Sequence, residues 1–321
     1  MHLLQVCNVG NICGGTAACA WTVSRALPNW QHSVWFFSPP TWETQRIFGD
    51  VHVLAGPRIA AGQLTMLRPD LILWHNAVAD RMVNPQEVPA IQYQHSAGLR
   101  GQADGHVYCS QWLATECGEP DGCVLYQPVP VPPQPETGSQ RNRRERLIVG
   151  RICTPQPHKW PADLIPFYSQ LAEQFPLIDW EFVGCPPAMQ TALKEACRGR
   201  AAFYSAGWMA RQHLWRWDVL LYRQPGCVES FGRVCAEAMR AGCIPIVDNL
   251  GGFREQIVEG TGFLCADELA IHAALRQLID ISQRREFSRR AQEHANTRFS
   301  LLRFQREFRA LVRDLLQRRC R

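Results

Sequence analysis

No apolar run in this chain approaches the ~20 residues that cross a bilayer. Its first residues, Met1-His2-Leu3-Leu4-Gln5-Val6, run straight into a strand-like pattern, without the basic start and apolar stretch of an export signal. There are 14 cysteines, yet no Cys-x-x-Cys pair and no His-rich cluster, so no metal site is expected. The loop after the first strand lacks G-x-G-x-x-G spacing. The second strand ends in Ser38-Pro39-Pro40, with no acid for a ribose, which excludes the dinucleotide fingerprint. Charge of one sign is not in large excess either. With 34 Lys and Arg against 29 Asp and Glu, the net +5 is too mild to indicate nucleic acid. It suits an anionic small molecule or an anionic membrane surface equally.

What is present reads as a globular protein of 321 residues, 46% hydrophobic and 20% charged, long enough for two domains. Without an export signal, the cysteines read as reduced, buried residues of a cytosolic protein. Strand-like runs alternate with helical stretches from end to end, which argues an α/β chain with parallel sheets. The first series is Leu3–Val9, Ser33–Phe37, Val51–Leu54, Leu71–Trp74, Ala90–Gln94, His106–Cys109 and Cys123–Tyr126. The proline-dense stretch Gln127–Pro135 reads as a semi-rigid linker. A second series follows: Leu147–Ile152, Asp179–Val183, Ala201–Tyr204, Asp218–Tyr222, Ile244–Val247 and Phe263–Cys265. We therefore expect Rossmann-like domains over 1–135 and 136–298, with a cleft between them at the carboxyl ends of the strands. In 299–321, Leu301, Phe304, Phe308, Leu311 and Leu315 mark an amphipathic helix packing back on the domains. Its other face carries Arg303, Arg306, Arg309, Arg313 and Arg318. A solvated basic face is the first reading, and peripheral contact with the inner face of a membrane the second.

The most informative segment is Glu229-Ser230-Phe231-Gly232-Arg233-Val234-Cys235-Ala236-Glu237. An apolar strand precedes it, and Ala241-Gly242 closes the helix that holds Glu237. The loop delivers a carboxylate and the free N–H groups of a helix start to one place, which suits a phosphate flanked by hydroxyls. Taken alone, either glutamate is an ordinary helix-favouring residue. Arg151 ends the first strand of the second domain and Lys159 follows it. Two cations there could neutralise a diphosphate, or each could be a surface charge. Near the start, Gly14 and Gly15 let a backbone approach a ligand, and Thr16 is placed to cap the helix that follows. His75 and His95 each follow a strand. His75 reads as structural, and His95 fits a ligand contact and a structural role equally well.

Together these residues resemble a known family. Glu229 through Met239, with Ala241-Gly242-Cys243-Ile244-Pro245, looks like the Glu-x7-Glu motif of retaining GT-B glycosyltransferases of family four. Asn249–Glu255, Gly260–Leu264, Gly150-Arg151 with Lys159, and Gly14-Gly15-Thr16 resemble that family too. No glycine follows the lysine, where the family usually has one. The resemblance implies two Rossmann-like domains facing across a cleft, a nucleotide-diphosphate sugar as donor, no cofactor and no divalent metal. Arg151 and Lys159 would bind the diphosphate. Glu229, Ser230, Phe231 and Gly232 would hold the donor sugar and phosphate, and Glu237 the ribose hydroxyls. Gly14 and Gly15 would approach the diphosphate, Gly207 would border the nucleobase, and His95 would lie beside the reacting sugar. The acceptor would be a hydroxyl of a glycan, a lipid or a small molecule. Two other classes stay open. One is a sugar-nucleotide epimerase, for which Asp80 and Asp104 are the acids of the first domain to consider. The other is a non-catalytic nucleotide-sugar-binding protein.

Overall fold

The structure is a computed structural model that describes residues 1–76, 81, 88–98, 100–135 and 146–319. Two units share the chain. One holds Met1–Val129 and the segment from Phe299 onward, the other Pro130–Arg298.

The first unit runs β1 (His2–Cys7), α1 (Gly15–Ala26), β2 (Gln31–Phe36), α2 (Trp42–Phe48), β3 (His52–Ala55) and α3 (Ala61–Leu67). It continues through β4 (Leu71–His75), β5 (Ala90–Gln94), β6 (Gly105–Tyr108), α4 (Gln111–Glu116) and β7 (Cys123–Val124). Its seven strands pair in the order β3-β2-β1-β4-β5-β6-β7, and all pairs are parallel. Every residue of β1, β4 and β5 is buried, as strands covered on both faces must be. Leu4 lies between Ser33 and Ile72, which centres β1 in the sheet. Val6, Trp35, Ile72 and Trp74 pack in one of its cores.

The second unit runs β8 (Leu147–Ile152), a 3₁₀ turn (Pro157–Lys159), α5 (Leu164–Gln174), β9 (Ile178–Val183), α6 (Pro187–Ala196) and β10 (Ala201–Tyr204). A second 3₁₀ turn (Met209–Trp215) leads to β11 (Val219–Tyr222), α7 (Arg233–Arg240), β12 (Ile244–Asp248), α8 (Phe253–Gln256) and β13 (Phe263–Cys265). Helices α9 (Glu268–Ile279) and α10 (Ile281–Arg298) complete it. The six strands are parallel in the order β10-β9-β8-β11-β12-β13. Gly150 sits in β8 because Trp217 fills the space beside it. A Cβ there would come within 2.0 Å of the indole.

Three expectations change. The proline stretch is no free linker. Gln127, Val129 and Pro132 are buried, the Val129 N–H donates to Phe299 O at 2.9 Å, and the units divide after residue 129 rather than 135. Helix α11 (Leu301–Arg319) turns Phe304, Phe308, Val312 and Leu315 inward. Val312, rather than Leu311, takes the fully buried slot. Thr16 lies inside α1, whose cap is Gly14. Among the described residues the cysteines are all free thiols, most of them buried.

Candidate active site

In the second unit the strand order reverses between β8 and β11, neighbours in the sheet but distant in the chain. The loops that leave their carboxyl ends diverge, and such a switch point is where open α/β sheets bind ligands. Arg151, Lys159 and the loop 223–232 all gather there.

Arg151 is fully buried. Its guanidinium lies 5.2 Å from the Trp160 ring centroid and 5.0 Å from that of Tyr222. It donates to Arg223 O at 3.0 Å, Lys159 O at 2.8 Å and Gln224 Oε1 at 2.7 Å. The Gln224 amide in turn donates to His158 O at 2.6 Å. Planar, five-donor geometry is what such a junction of carbonyls needs. Arg151 here ties the 3₁₀ turn that carries Lys159 to the loop after β11.

Lys159, with 18% of its side chain exposed, lies beside this junction. Its ammonium pairs with Glu229 Oε1 and lies 3.4 Å from Tyr222 Oη and 3.6 Å from Cys227 Sγ. Tyr222 Oη also donates to Glu229 Oε1 at 2.6 Å. Burial alone would lower the Lys159 pKa, but the Glu229 charge and hydrogen bond outweigh it and hold the amine above its ordinary value. Burial, with Cys153 and Glu229 nearby, raises Tyr222 well beyond the usual phenol range, so it serves only as a proton donor to Glu229. About a quarter of the Glu229 side chain stays exposed (25%).

The loop from Glu229 to Gly232 is clamped from behind by the turn before α8. Gly252 N–H donates to Glu229 O at 2.9 Å. A Cβ on Gly252 would meet Ser230 O at 2.3 Å, and one on Gly251 would meet Glu229 O at 2.4 Å. Gly232, at φ 76°, starts α7 without a side-chain cap, and its own Cβ would strike Phe253. No side chain of the cap residue takes the first N–H groups of this helix, although Gly232 and Arg233 are buried and Phe253 packs against Gly232. Ser230 is half-buried and Phe231 buried.

Glu237 is enclosed as well. Its carboxylate is 3% exposed and accepts from Arg211 Nε at 3.1 Å on both oxygens and from Arg233 Nε at 3.0 Å. Two guanidiniums flank it. Glu237 holds Arg211 over the Trp208 ring at 4.3 Å, beside Gly207, which precedes the 3₁₀ turn. Trp208 lies in the loop Ser205–Met209 that the resemblance places beside the nucleobase, whereas the roles of Arg211, Arg223, Tyr222 and Arg233 were not foreseen. Of these only Arg233 had a signal, its i,i+4 spacing to Glu237.

In the first unit, the Gly14–Gly15 loop follows β1 and Gly15 has open space where a Cβ would stand. Thr44 fixes this loop, donating to Gly10 O at 2.7 Å and accepting from Ile12 N–H at 2.9 Å. His95 does not offer a free ring nitrogen. Gln5 Nε2 must donate to the Ala20 carbonyl at 3.0 Å, so its Oε1 accepts from His75 Nε2 at 2.9 Å. His75 Nδ1 then accepts from His95 Nε2 at 2.9 Å, and His95 Nδ1 accepts from Gln127 Nε2 at 2.8 Å. Both His95 nitrogens are engaged in this arrangement.

Cys19 lies close to these two histidines and could complete a metal-ligand set with them. Their geometry opposes it. The rings are 9° from parallel with centroids 5.2 Å apart, the separation that a straight N–H···N contact of 2.9 Å requires. The two nitrogens point at each other along a hydrogen bond, so neither ring aims a lone pair at a shared point beside them.

Burial lowers the His75 pKa to about 3. The unfolded chain takes up this proton near pH 6.5, so the stability tied to neutral His75 is complete above that pH and is lost as pH falls towards 3. The slope is at most about 1.4 kcal/mol per pH unit. Urea midpoints between pH 7 and pH 4 should fall more steeply for the wild type than for His75→Gln. Parallel curves would remove the burial argument.

Comparison with known proteins follows this geometry. Residues 217–298 match the family described as Glycosyl transferases group 1. No curated protein sequence matches the chain. Among solved structures, the Anabaena protein HepE in complex with UDP superposes with a TM-score of 0.76 at 19% identity, covering 98% of this chain and 100% of that one. A glycosyltransferase from Rickettsia africae gives 0.75 at 13% identity, covering 98% of each chain. Sucrose-phosphate synthase from Thermosynechococcus elongatus gives 0.73 at 15%, covering 99% and 100%. The fold is that of the GT-B glycosyltransferases, with parallel Rossmann-like sheets and a long C-terminal helix.

Proposed function

We propose that the chain is a retaining glycosyltransferase that moves a sugar from a nucleotide-diphosphate donor to a hydroxyl acceptor without a divalent cation. The observation that carries this reading is the Lys159–Glu229–Tyr222 cluster beside the uncapped start of α7, at the sheet's switch point. The matched family segment, 217–298, contains Glu229, Gly232 and Tyr222.

Breaking the bond between sugar and diphosphate builds negative charge on the leaving phosphate as the sugar gains oxocarbenium character. Lys159 and the first N–H groups of α7 stabilise that charge, and preorganised donors are effective because they do not reorganise during the step. Glu229 holds hydroxyls of the donor sugar through its exposed oxygen. Tyr222 and Lys159 keep that carboxylate ionised and oriented. Arg151 acts through Lys159 as a positioning residue. With both His95 nitrogens occupied, a leaving-phosphate oxygen takes the acceptor's proton. Attack on the face that the leaving group vacates retains configuration.

Metal independence is supported by the donor set. Glu229 is paired with Lys159, and Asp248 accepts from Arg223 and from the Gln224 backbone N–H. No pair of free carboxylates stands at the switch point among the described residues. An epimerase gains no such support. Asp104 accepts from Ala90 N–H and Arg319, and Asp80 lies outside the described residues.

The test is calorimetric titration of the folded protein with UDP, GDP, ADP and dTDP in the presence of chelator. Binding of one of them is expected, with UDP first because HepE was solved with it. A folded protein that binds none would overturn the donor site.

A further inference from the structure

The end of the chain is rich in basic residues. Helix α11 carries six arginines against two acids, a surplus of four where the whole chain has five. Helix α10 is also rich in arginine, but its Arg289 and Arg290 pair with Glu286 and Glu293. On α11, Arg303 pairs with Glu307, and Arg319 with Asp104. Arg306, Arg309 and Arg313 are exposed, and no acid among the described residues pairs with them. Their spacing of three and four residues puts them on one stripe. Leu302, 75% exposed, extends it by one turn before Arg306, and Leu316 extends it after Arg313.

Arg309 and Arg313 border an open trough of about 600 Å³, lined also by Met1, Trp30, Val312 and Leu316. The one acid beside Met1 is occupied, since Asp70 accepts from the His2 N–H and lies 3.9 Å from the Met1 amine. The opposite side of α11 is fixed in the first unit, where Phe308 packs 6.0 Å from the Trp30 ring. The trough is therefore a built feature of that unit. Guanidiniums beside an apolar floor match a ligand with phosphate at one end and hydrocarbon at the other. A free phosphate would leave Trp30 and Leu316 uncovered.

We propose that this face seats on a bilayer surface containing anionic phospholipid, with headgroup phosphates on Arg306, Arg309 and Arg313 and the glycerol and upper acyl region in the trough beside Trp30. Trp30 then lies at headgroup depth, where indoles are favoured. The proposal is independent of the donor site and stands or falls separately from it.

The test is co-sedimentation of the full chain with phosphatidylcholine vesicles, with and without phosphatidylglycerol, at low and high salt. Binding is expected only to the anionic vesicles, weakening with salt. Each arginine near such a surface contributes roughly fivefold, so the variant R306E/R309E/R313E should bind at least about 100-fold more weakly. Leu302→Asp should weaken what remains at high salt. Circular dichroism and nucleotide titration of both variants should match the wild type, which separates this face from folding and from the donor site. Equal binding to neutral vesicles, no binding to anionic ones, full binding by the triple variant, or complete displacement by soluble glycerol phosphate would each overturn the proposal.

Discussion

Lys159→Met lowers the rate of sugar transfer by about 10²–10³-fold, the usual effect of removing one preorganised charge from a developing oxyanion. Thermal stability should change little, because the ammonium is partly exposed and its partner Glu229 keeps both the Tyr222 hydrogen bond and solvent. The discriminating variant is the double substitution Lys159→Met with Glu229→Gln. If Lys159 only orients Glu229, the double variant is no slower than Glu229→Gln alone. If Lys159 meets the leaving phosphate, the double variant is slower than either single one. Single-turnover rates and nucleotide affinity for the two single variants and the double decide the matter. A double variant as fast as Glu229→Gln would refute the phosphate role.

Arg151→Ala should do something different. It removes a guanidinium held between two rings and strands Arg223 O, Lys159 O and Gln224 Oε1 in a buried site. Leaving a buried acceptor of this kind unsatisfied costs about 1–3 kcal/mol. Activity should fall along with stability, because the turn carrying Lys159 loses its tie to the β11 loop. Arg151→Lys should rescue little, since an ammonium has no planar fork to span three acceptors. Urea denaturation read beside nucleotide affinity makes the check. An Arg151→Ala protein of wild-type stability that no longer binds nucleotide would restore the diphosphate role that the burial of Arg151 argues against.

The strands of both sheets were legible because parallel strands covered on both faces read as unbroken apolar runs. Ala90–Gln94, Leu147–Ile152, Ala201–Tyr204 and Phe263–Cys265 match to the residue, and the others are displaced by one or two at an end. The segment from Glu229 to Glu237 was legible as a loop entering a helix, because Gly232 and Gly242 bracket it. Side-chain direction was not. Nothing local tells whether an arginine closing a strand points outward or inward, and the rings enclosing Arg151 come from positions 160 and 222. Glu237 is closed off by Arg211, 26 positions earlier. The His95 chain joins Gln5, His75, His95 and Gln127 from four separate segments, a pattern visible only once β1, β4 and β5 lie side by side. The proline stretch misled for a related reason. Proline density reports backbone stiffness, whereas the burial of Val129 depends on Phe299.

The discontinuity of the first unit sets an order of events during synthesis. The second unit is one continuous segment, Pro130–Arg298, and can close as soon as it leaves the ribosome. The first unit emerges earlier but needs Phe304, Phe308, Val312 and Leu315 of α11 to cover its side. Translating the intervening residues takes on the order of 10–30 s, far longer than a domain of this size needs to collapse. For that interval the surface around Trp30 that receives Phe308 is bare apolar area. The usual sequence, in which the N-terminal part is finished first, is inverted, and nascent chains halted before α11 should be the species that chaperones retain.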